Sequence, residues 1–425
     1  MRRPGGLWRQ ADFLLFWAGQ TVSLFGSQVT LLAVPLIASL RLHATPEQMG
    51  LLNAVQWLPW LLFALPAGAW LDRSRRRPAM VAADAGRALV LALIPAGALA
   101  GRLSVEWLAG VGFLAGTLTV LFEVGYQAYV PALVERPHLV EANSKLEVSR
   151  SLARVAGPSL AGALVHLWGA ALAVLADAAS FALSALALAG IRRPEPAPER
   201  GSEEPPLGAQ VAEGLRLVAR EPRLRALAAT TGTGNFFGSM AEALIILYLT
   251  RELHFDAVAV GLIFSEQSAG ALLGALAAAP LGRRLGLGRT LVLSAAAIGF
   301  GQLGLPLAAG PRAARVAMVV AGGLLTACAI PVYNVHALSL RQAITPDALL
   351  GRMNATLRFI VWGLMPLGSL LGGLLGRLLG LRATLLLAAA GAGASALWLV
   401  FSPLRGFREA RPAPADRQGE TGAGA

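Results

Sequence analysis

Lysine is almost missing from this chain: Lys145 stands alone against 35 arginines. Cysteine also occurs once, as Cys328, so no internal disulfide can form and no redox compartment can be read. Charge of either sign is scarce. Asp, Glu, Lys and Arg make up 14% of the 425 residues, whereas a soluble globular protein carries about 25%. That shortage argues against a soluble enzyme, a disordered chain and a nucleic-acid-binding domain, despite a net charge of +12. The five histidines (43, 138, 166, 254 and 336) lie scattered, without metal-ligand spacing. There is no phosphate-binding glycine loop and no Gly-x-Ser-x-Gly elbow. No enzyme activity, cofactor or metal is therefore expected. Any work the chain does must draw on an ion gradient or on the gradient of its substrate.

What the chain has in place of charge is apolar length. Hydrophobic residues reach 56% and mean hydropathy is +0.61. A membrane-spanning helix needs about 20 apolar residues. Twelve segments qualify: 13–40, 50–70, 78–100, 107–130, 147–168, 170–190, 226–249, 257–280, 290–309, 313–335, 355–378 and 381–402. No cleavable signal peptide is expected, because the apolar run after Asp12 far exceeds a signal core of about 7–15 residues. With a cytoplasmic N-terminus, 25 of the 36 Lys and Arg fall on cytoplasmic loops and tails and seven on the opposite loops. That asymmetry places both termini in the cytoplasm of a multi-pass protein of the cell (inner) membrane.

Composition divides the chain into four parts. Residues 1–190 and 224–404 each hold six apolar segments. Residues 191–223 form a Pro-, Glu- and Arg-rich cytoplasmic linker, within which Leu207, Val211, Leu215 and Val218 recur at helical spacing and suggest an amphipathic helix on the membrane face. Residues 405–425, rich in Ala, Arg, Gly and Pro, read as a disordered cytoplasmic tail.

The two six-segment parts are copies of one another. A shift of 211 residues lays Leu42-His43 on Leu253-His254, Gly50-Leu51 on Gly261-Leu262, Gln56 on Gln267 and Pro95 on Pro306. Over Asn143–Gly169 and Asn354–Gly380 it gives eight identities in 27, including Gly157/Gly368 and Gly162/Gly373. Six is an even number, so both copies enter the membrane in the same sense. This is the parallel-repeat arrangement, with its axis along the membrane normal and a site between the halves near the midplane.

These features carry a resemblance. Gly68-Ala69-Trp70-Leu71-Asp72-Arg73-Ser74-Arg75-Arg76-Arg77 is similar to the loop 2–3 motif of the major facilitator superfamily, with Ser74 in place of one glycine. Its second-half counterpart, Leu281-Gly282-Arg283-Arg284-Leu285-Gly286, lacks the aspartate. Gly157-Pro158-Ser159-Leu160-Ala161-Gly162 resembles the fifth-helix motif that marks antiporters there, and Ser369 stands at the repeat position of Pro158. Phe122-Glu123, Gln127-Ala128, Pro131, Glu141-Ala142-Asn143 and Arg150 look like the branch that exports drugs, macrolides and siderophores. The resemblance covers residues 10–404. It implies an all-α membrane protein of twelve helices in two six-helix parallel repeats, which exports small amphipathic molecules by proton antiport and alternating access. An uptake symporter or facilitator of the same superfamily is the alternative, and a non-transporting sensor or scaffold the alternative of another class. The expected partners are a small-molecule substrate, protons and the lipid bilayer, with no nucleic acid, and the chain is expected to act as a monomer.

Acids inside membrane segments cost about 2.5–3.5 kcal/mol each on insertion scales and so need a partner, a cavity or a task. Four are candidates for proton coupling: Glu123, Glu266, Asp177 and Glu242. Desolvation brings buried carboxylates toward a range where they load and release protons. Glu123 leads, with an ion pair to Arg150 or Arg154 as its structural alternative. Phe122, Tyr333, Asn334, Gln56 and Gln267 are the substrate-cavity candidates, because the repeat sets Phe122-Glu123 opposite Tyr333-Asn334 and Gln56 opposite Gln267. Asp84 and Arg87, three apart, read as an internal ion pair. Gly157, Pro158 and Gly162 give a kinked, closely packed helix. Gly68, Asp72, Arg73, Arg76, Arg77 and Arg352 are candidates for a conformational switch, in which Asp72 latches onto the helix start around Gly351–Asn354.

Overall fold

The computed structural model describes residues 7–71, 74–135, 138–195, 215–345 and 347–406. Among these are twelve long helices and no strand. The first half contains α1 (Ala11–Leu36, continued as a π-helical turn, Ile37–Arg41), α2 (Pro46–Leu71), α3 (Arg76–Leu99), α4 (Val105–Leu133), α5 (Leu139–Trp168) and α6 (Ala170–Gly190). The second contains α7 (Pro222–Arg251), α8 (Ala257–Leu285), α9 (Leu287–Gln302), α10 (Arg312–Ile344), α11 (Asp347–Leu378) and α12 (Leu381–Ala394), which a short α13 (Leu397–Val400) follows.

Each expected segment contains a helix, several of them longer than hydropathy marks, while in 290–309 the helix ends at Gln302. The segment 313–335 runs on to Ile344, for example. Hydropathy registers only the part of a helix that matches the hydrocarbon layer. The last segment breaks at Ser395-Ala396, between α12 and α13. Eight of the helices are long and apolar enough to cross a membrane. Leu89, Leu99, Leu186 and Phe401 are 70–84% exposed, a lipid-facing surface that water would not tolerate. Of the linker, residues 215–220 are helical with Val218 buried, while Leu207 and Val211 lie outside the described residues, as does the tail from 407.

The repeat is visible in the backbone. α1, α2, α3 and α6 begin 211 residues before α7, α8, α9 and α12. Each turn before the second helix of a half holds a histidine in the left-handed region, His43 at φ 50° and His254 at φ 55°, and Gly169 and Gly380 share positive φ in the same way. Packing repeats too. In the first half α1 lies against α5 and α6, α3 against α4 and α6, and α2 against α4; in the second α7 lies against α11 and α12, α9 against α10 and α12, and α8 against α10.

The halves meet through α2 against α11 and α5 against α8, two contacts related by the same offset. Both depend on glycine. A Cβ at Gly50 would stand 2.5 Å from Ser369 O and 3.0 Å from Gly373 Cα. At Gly261 it would stand 2.5 Å from Pro158 O and 3.2 Å from Gly162 Cα. Gly50 and Gly261 are repeat partners, as are Gly162 and Gly373 and Pro158 and Ser369. Small residues allow this close approach of helix backbones. On the axis between the halves Ser39 Oγ and Thr250 Oγ1, themselves 211 apart, lie 2.7 Å from one another.

Candidate functional site

The α2–α11 and α5–α8 crossings lie at the end of the bundle far from the termini. Ser39–Thr250 is there, and so is Arg251, which donates to Ser39 O at 3.3 Å and Ala44 O at 2.9 Å across the halves. Glu47 meets Arg377 at 2.9 Å. Deeper in, Ser159 and Ser265 hydroxyls approach to 2.7 Å and the Trp60 and Trp362 rings to 5.2 Å, edge on. Nearer the termini, Gly68 has open space where a Cβ would be. These contacts between the halves thus gather at the far face and in the middle of the bundle.

A cavity of about 420 Å³ lies inside the second half. α7 contributes Thr231, Asn235 and Glu242; α8 Phe264 and Gln267; α9 Gln302; α10 Thr326, Tyr333 and Asn334. Its walls are otherwise aliphatic and small, and among its lining residues Glu242 is the only carboxylate and no Arg, Lys or His appears. Thr231 Oγ1 and Tyr333 OH are 2.8 Å apart. Gln302 Oε1 and Thr230 Oγ1, at its wall, have no hydrogen-bond partner. α7 lacks a continuous apolar run because these polar residues face inward.

A second cavity of about 100 Å³ lies between the halves, bounded by Gln28, Asn53, Gln56 and Pro158 on one side and Glu242 and Phe264 on the other. Glu242 thus separates the two spaces. Asn53 lies beside its carboxylate and accepts from Ser369 Oγ at 2.6 Å, a link from α2 to α11.

The structure brings some of the expected residues together and separates others. Gln267, Tyr333 and Asn334 line the large cavity and Gln56 the small one. Phe122 lines neither of these two: it is 3% exposed and its ring packs under Arg87. Glu123 forms no ion pair with Arg150 or Arg154, because Arg154 pairs with Glu147 on its own helix at 2.6 Å and Arg150 lies over the Tyr126 ring. Asp84 and Arg87 do form an ion pair, fully buried. Asp177 is buried between α6 and α1, against Gly26. Glu266 is not among the lining residues of either cavity; its Oε2 lies 3.4 Å from where a Cβ at Gly323, on the wall of the large cavity, would stand, and neither of its oxygens has a partner. Gly157 packs on Gln28 of α1, and Gly162 on Ala257 O of α8.

Of the switch residues, Asp72 and Arg73 lie outside the described residues, as does the side chain of Arg352. Arg77 works within the first half, donating to Leu188 O at 2.9 Å and Ala189 O at 2.5 Å at the end of α6. The backbone N–H groups of Arg76 and Arg77 are capped by Glu195 at 2.7 and 3.1 Å.

Asn53, Asn235, Gln302 and Thr326 went unnoticed in the sequence. Their signal is asymmetry between the halves. Asn235 and Gln302 stand where the first half has Leu24 and Leu91, while Asp84 and Arg87 stand where the second has Ala295 and Ile298.

Residues 6–421 match the profile of the transmembrane secretion effector family. The chain belongs to that family of major facilitator transporters. A multidrug efflux pump, Tap, from Mycolicibacterium fortuitum is 27% identical over 381 residues, covering 88% of this chain and 91% of the pump. The macrolide efflux protein A of Streptococcus pyogenes is 22% identical over 377 residues, covering 87% and 90%. Among solved structures, a bacterial homologue of the iron transporter ferroportin in its inward-facing state superposes with a TM-score of 0.76, at 18% identity and over 92% of this chain and 98% of that one. The same homologue in its outward-facing state gives 0.55. Its helices thus superpose more closely on the inward-facing structure of that homologue than on the outward-facing one.

Proposed function

We propose that this transporter exports small, drug-like amphipathic molecules by proton antiport, with both termini in the cytoplasm and the inward-open state as the one described. The observation that carries this reading is the cavity of the second half. Its volume of about 420 Å³ falls in the range of about 300–1,000 Å³ typical of small-molecule sites. Aliphatic walls with Phe264 and Tyr333 suit an apolar body, and the amides of Asn235, Gln267, Gln302 and Asn334 suit its polar groups. One carboxylate and no base favour a cation or a neutral molecule over an anion, which supports drug-like amines ahead of anionic siderophore-like metabolites. The two related pumps named for multidrug and macrolide efflux support the direction of transport. So does the Pro158–Gly162 stretch, which packs on α8 and seals the far face as an exporter at rest would.

Alternating access follows from the symmetry. Rocking the halves about their axis opens the Gly50–Gly373 and Gly162–Gly261 crossings while the terminal face closes. The test is the accumulation of a panel of fluorescent drugs in cells with and without the protein. Lower accumulation that disappears on collapsing the proton gradient is expected. Equal accumulation across a panel of aromatic amines would contradict the reading.

A further inference from the structure

The two halves share a fold but not a filling. Ala295, Ile298, Tyr333 and Ala392 line the large cavity, and a shift of 211 positions carries them onto Asp84, Arg87, Phe122 and Phe181. In the first half those four side chains occupy the equivalent space themselves, each at most 4% exposed. Arg87 pairs with Asp84, and its guanidinium carbon lies 4.4 Å from the centre of the Phe122 ring and 4.0 Å from that of Phe181.

This is more than an internal ion pair. Glu123 of α4 and Asp177 of α6 also lie within electrostatic reach of Arg87. Asp84 Oδ2 and Arg87 Nε are buried without a hydrogen-bond partner. The groups that hydrogen-bond Asp177 are hydroxyls: Ser180 Oγ donates to it at 3.2 Å, with Ser27 and Thr30 of α1 alongside. α1 contributes no titratable group to the cluster, only Gln20, which donates to Ser184 Oγ at 3.0 Å. On the other side α4 adds Tyr126, with Arg150 of α5 above its ring. Glu123 is half-buried, has no ion pair among the described residues, and alone of the three acids keeps exposed surface.

We propose that the filled counterpart in the first half is the coupling-ion site, taking a proton on Glu123 beside Asp84 and Arg87, while the open cavity of the second half takes the substrate. The inference rests on the exporter reading above and adds to it that ion and substrate act on different halves. Arg87 pairs with Asp84 in the structure, and a proton on Glu123 leaves that pair undisturbed. When that proton leaves to water, Glu123 becomes a second anion competing for a guanidinium wedged between rings on α4 and α6, and α3 is drawn toward α4. No bond other than O–H forms or breaks. A ligand that favours one state by its own binding free energy shifts the equilibrium by that amount.

The test separates the two sites. The full chain, with Cys328→Ala and spin labels on Arg102→Cys and Arg312→Cys, both exposed at the far face, is placed in lipid nanodiscs. Label separation is followed against pH, and ethidium, an aromatic cation, reports cavity occupancy. The wild-type background should change separation with pH. Glu123→Gln should lose that response and bind ethidium unchanged, and Glu123→Asp should restore it. Ala392→Phe, or the smaller Ala295→Leu, should weaken ethidium by about tenfold or more and keep the pH response. A pH response that survives in Glu123→Gln, one lost in both cavity-filling variants, or a separation that follows sodium at fixed pH would overturn the proposal. Absence of ethidium binding in the wild type, with the pH response intact and lost in Glu123→Gln, would count against the substrate reading alone and support the ion site.

Discussion

The far-face closure depends on two glycines that no other residue can replace in this state, and the cost of replacing them can be worked out. In Gly50→Ala the new methyl would lie 2.5 Å from Ser369 O and 3.0 Å from Gly373 Cα, and in Gly261→Ala 2.5 Å from Pro158 O. The atoms it meets are backbone, so no rotamer change relieves the clash and the helices must part. Overpacking a close contact costs about 1–3 kcal/mol, and the same methyl costs nothing once the far face is open. The equilibrium should therefore move about 5- to 150-fold toward the far-open state. Cross-linking reads this directly. Ser39→Cys and Thr250→Cys, whose native hydroxyls are 2.7 Å apart, should form a disulfide readily in a Cys328→Ala background. Adding Gly50→Ala or Gly261→Ala should cut its rate, whereas Gly110→Ala, where a methyl meets nothing within 4 Å, should leave it alone. Equal rates in all three variants would refute the argument.

Other links between the halves should differ in weight. Arg251→Ala removes charged hydrogen bonds to two carbonyls across the halves, each worth about 1.5–3 kcal/mol, and should slow the same cross-link strongly. Glu47→Gln, which breaks a pair whose arginine is 67% exposed, should change it little, since such pairs contribute about 0–1 kcal/mol. Phe181→Ala empties the space beside Arg87 and should lower stability by about 3–5 kcal/mol, seen as a fall in the unfolding midpoint in detergent. Glu242→Gln keeps the shape of the cavity and removes its one charge, so ethidium should bind at least about tenfold more weakly while a neutral dye of similar size binds as before.

Much of the fold could be read in advance because its causes are one-dimensional. Apolar length fixed the helices, and an unchanged offset joined Gly50 to Gly261 and Gly162 to Gly373, pairs that prove to be the crossing points themselves. The site was less legible. Identities between the halves mark Gln56/Gln267 and the packing glycines, but the halves are specialised where they differ. Asn235 and Gln302 matter because their counterparts are leucines, and Arg87 because its counterpart is an isoleucine. Phe122 was placed in the cavity by analogy with Tyr333, which does line it. In the first half Arg87 and Phe181 stand where the second has Ile298 and Ala392, and the Phe122 ring packs under Arg87. No single-residue signal marks such a difference, since volume inside a bundle is a property of facing positions on three helices.

The central claim is that substrate leaves against its gradient as protons enter. It is tested most directly in reconstituted vesicles carrying this protein alone, with ethidium as the probe and a proton gradient imposed in either direction. The account predicts uphill movement of ethidium toward the proton-rich side, reversal when the gradient is reversed, and no net movement without it. Ethidium moving toward the proton-poor side would identify a symporter, and uphill movement indifferent to the proton gradient would contradict antiport altogether.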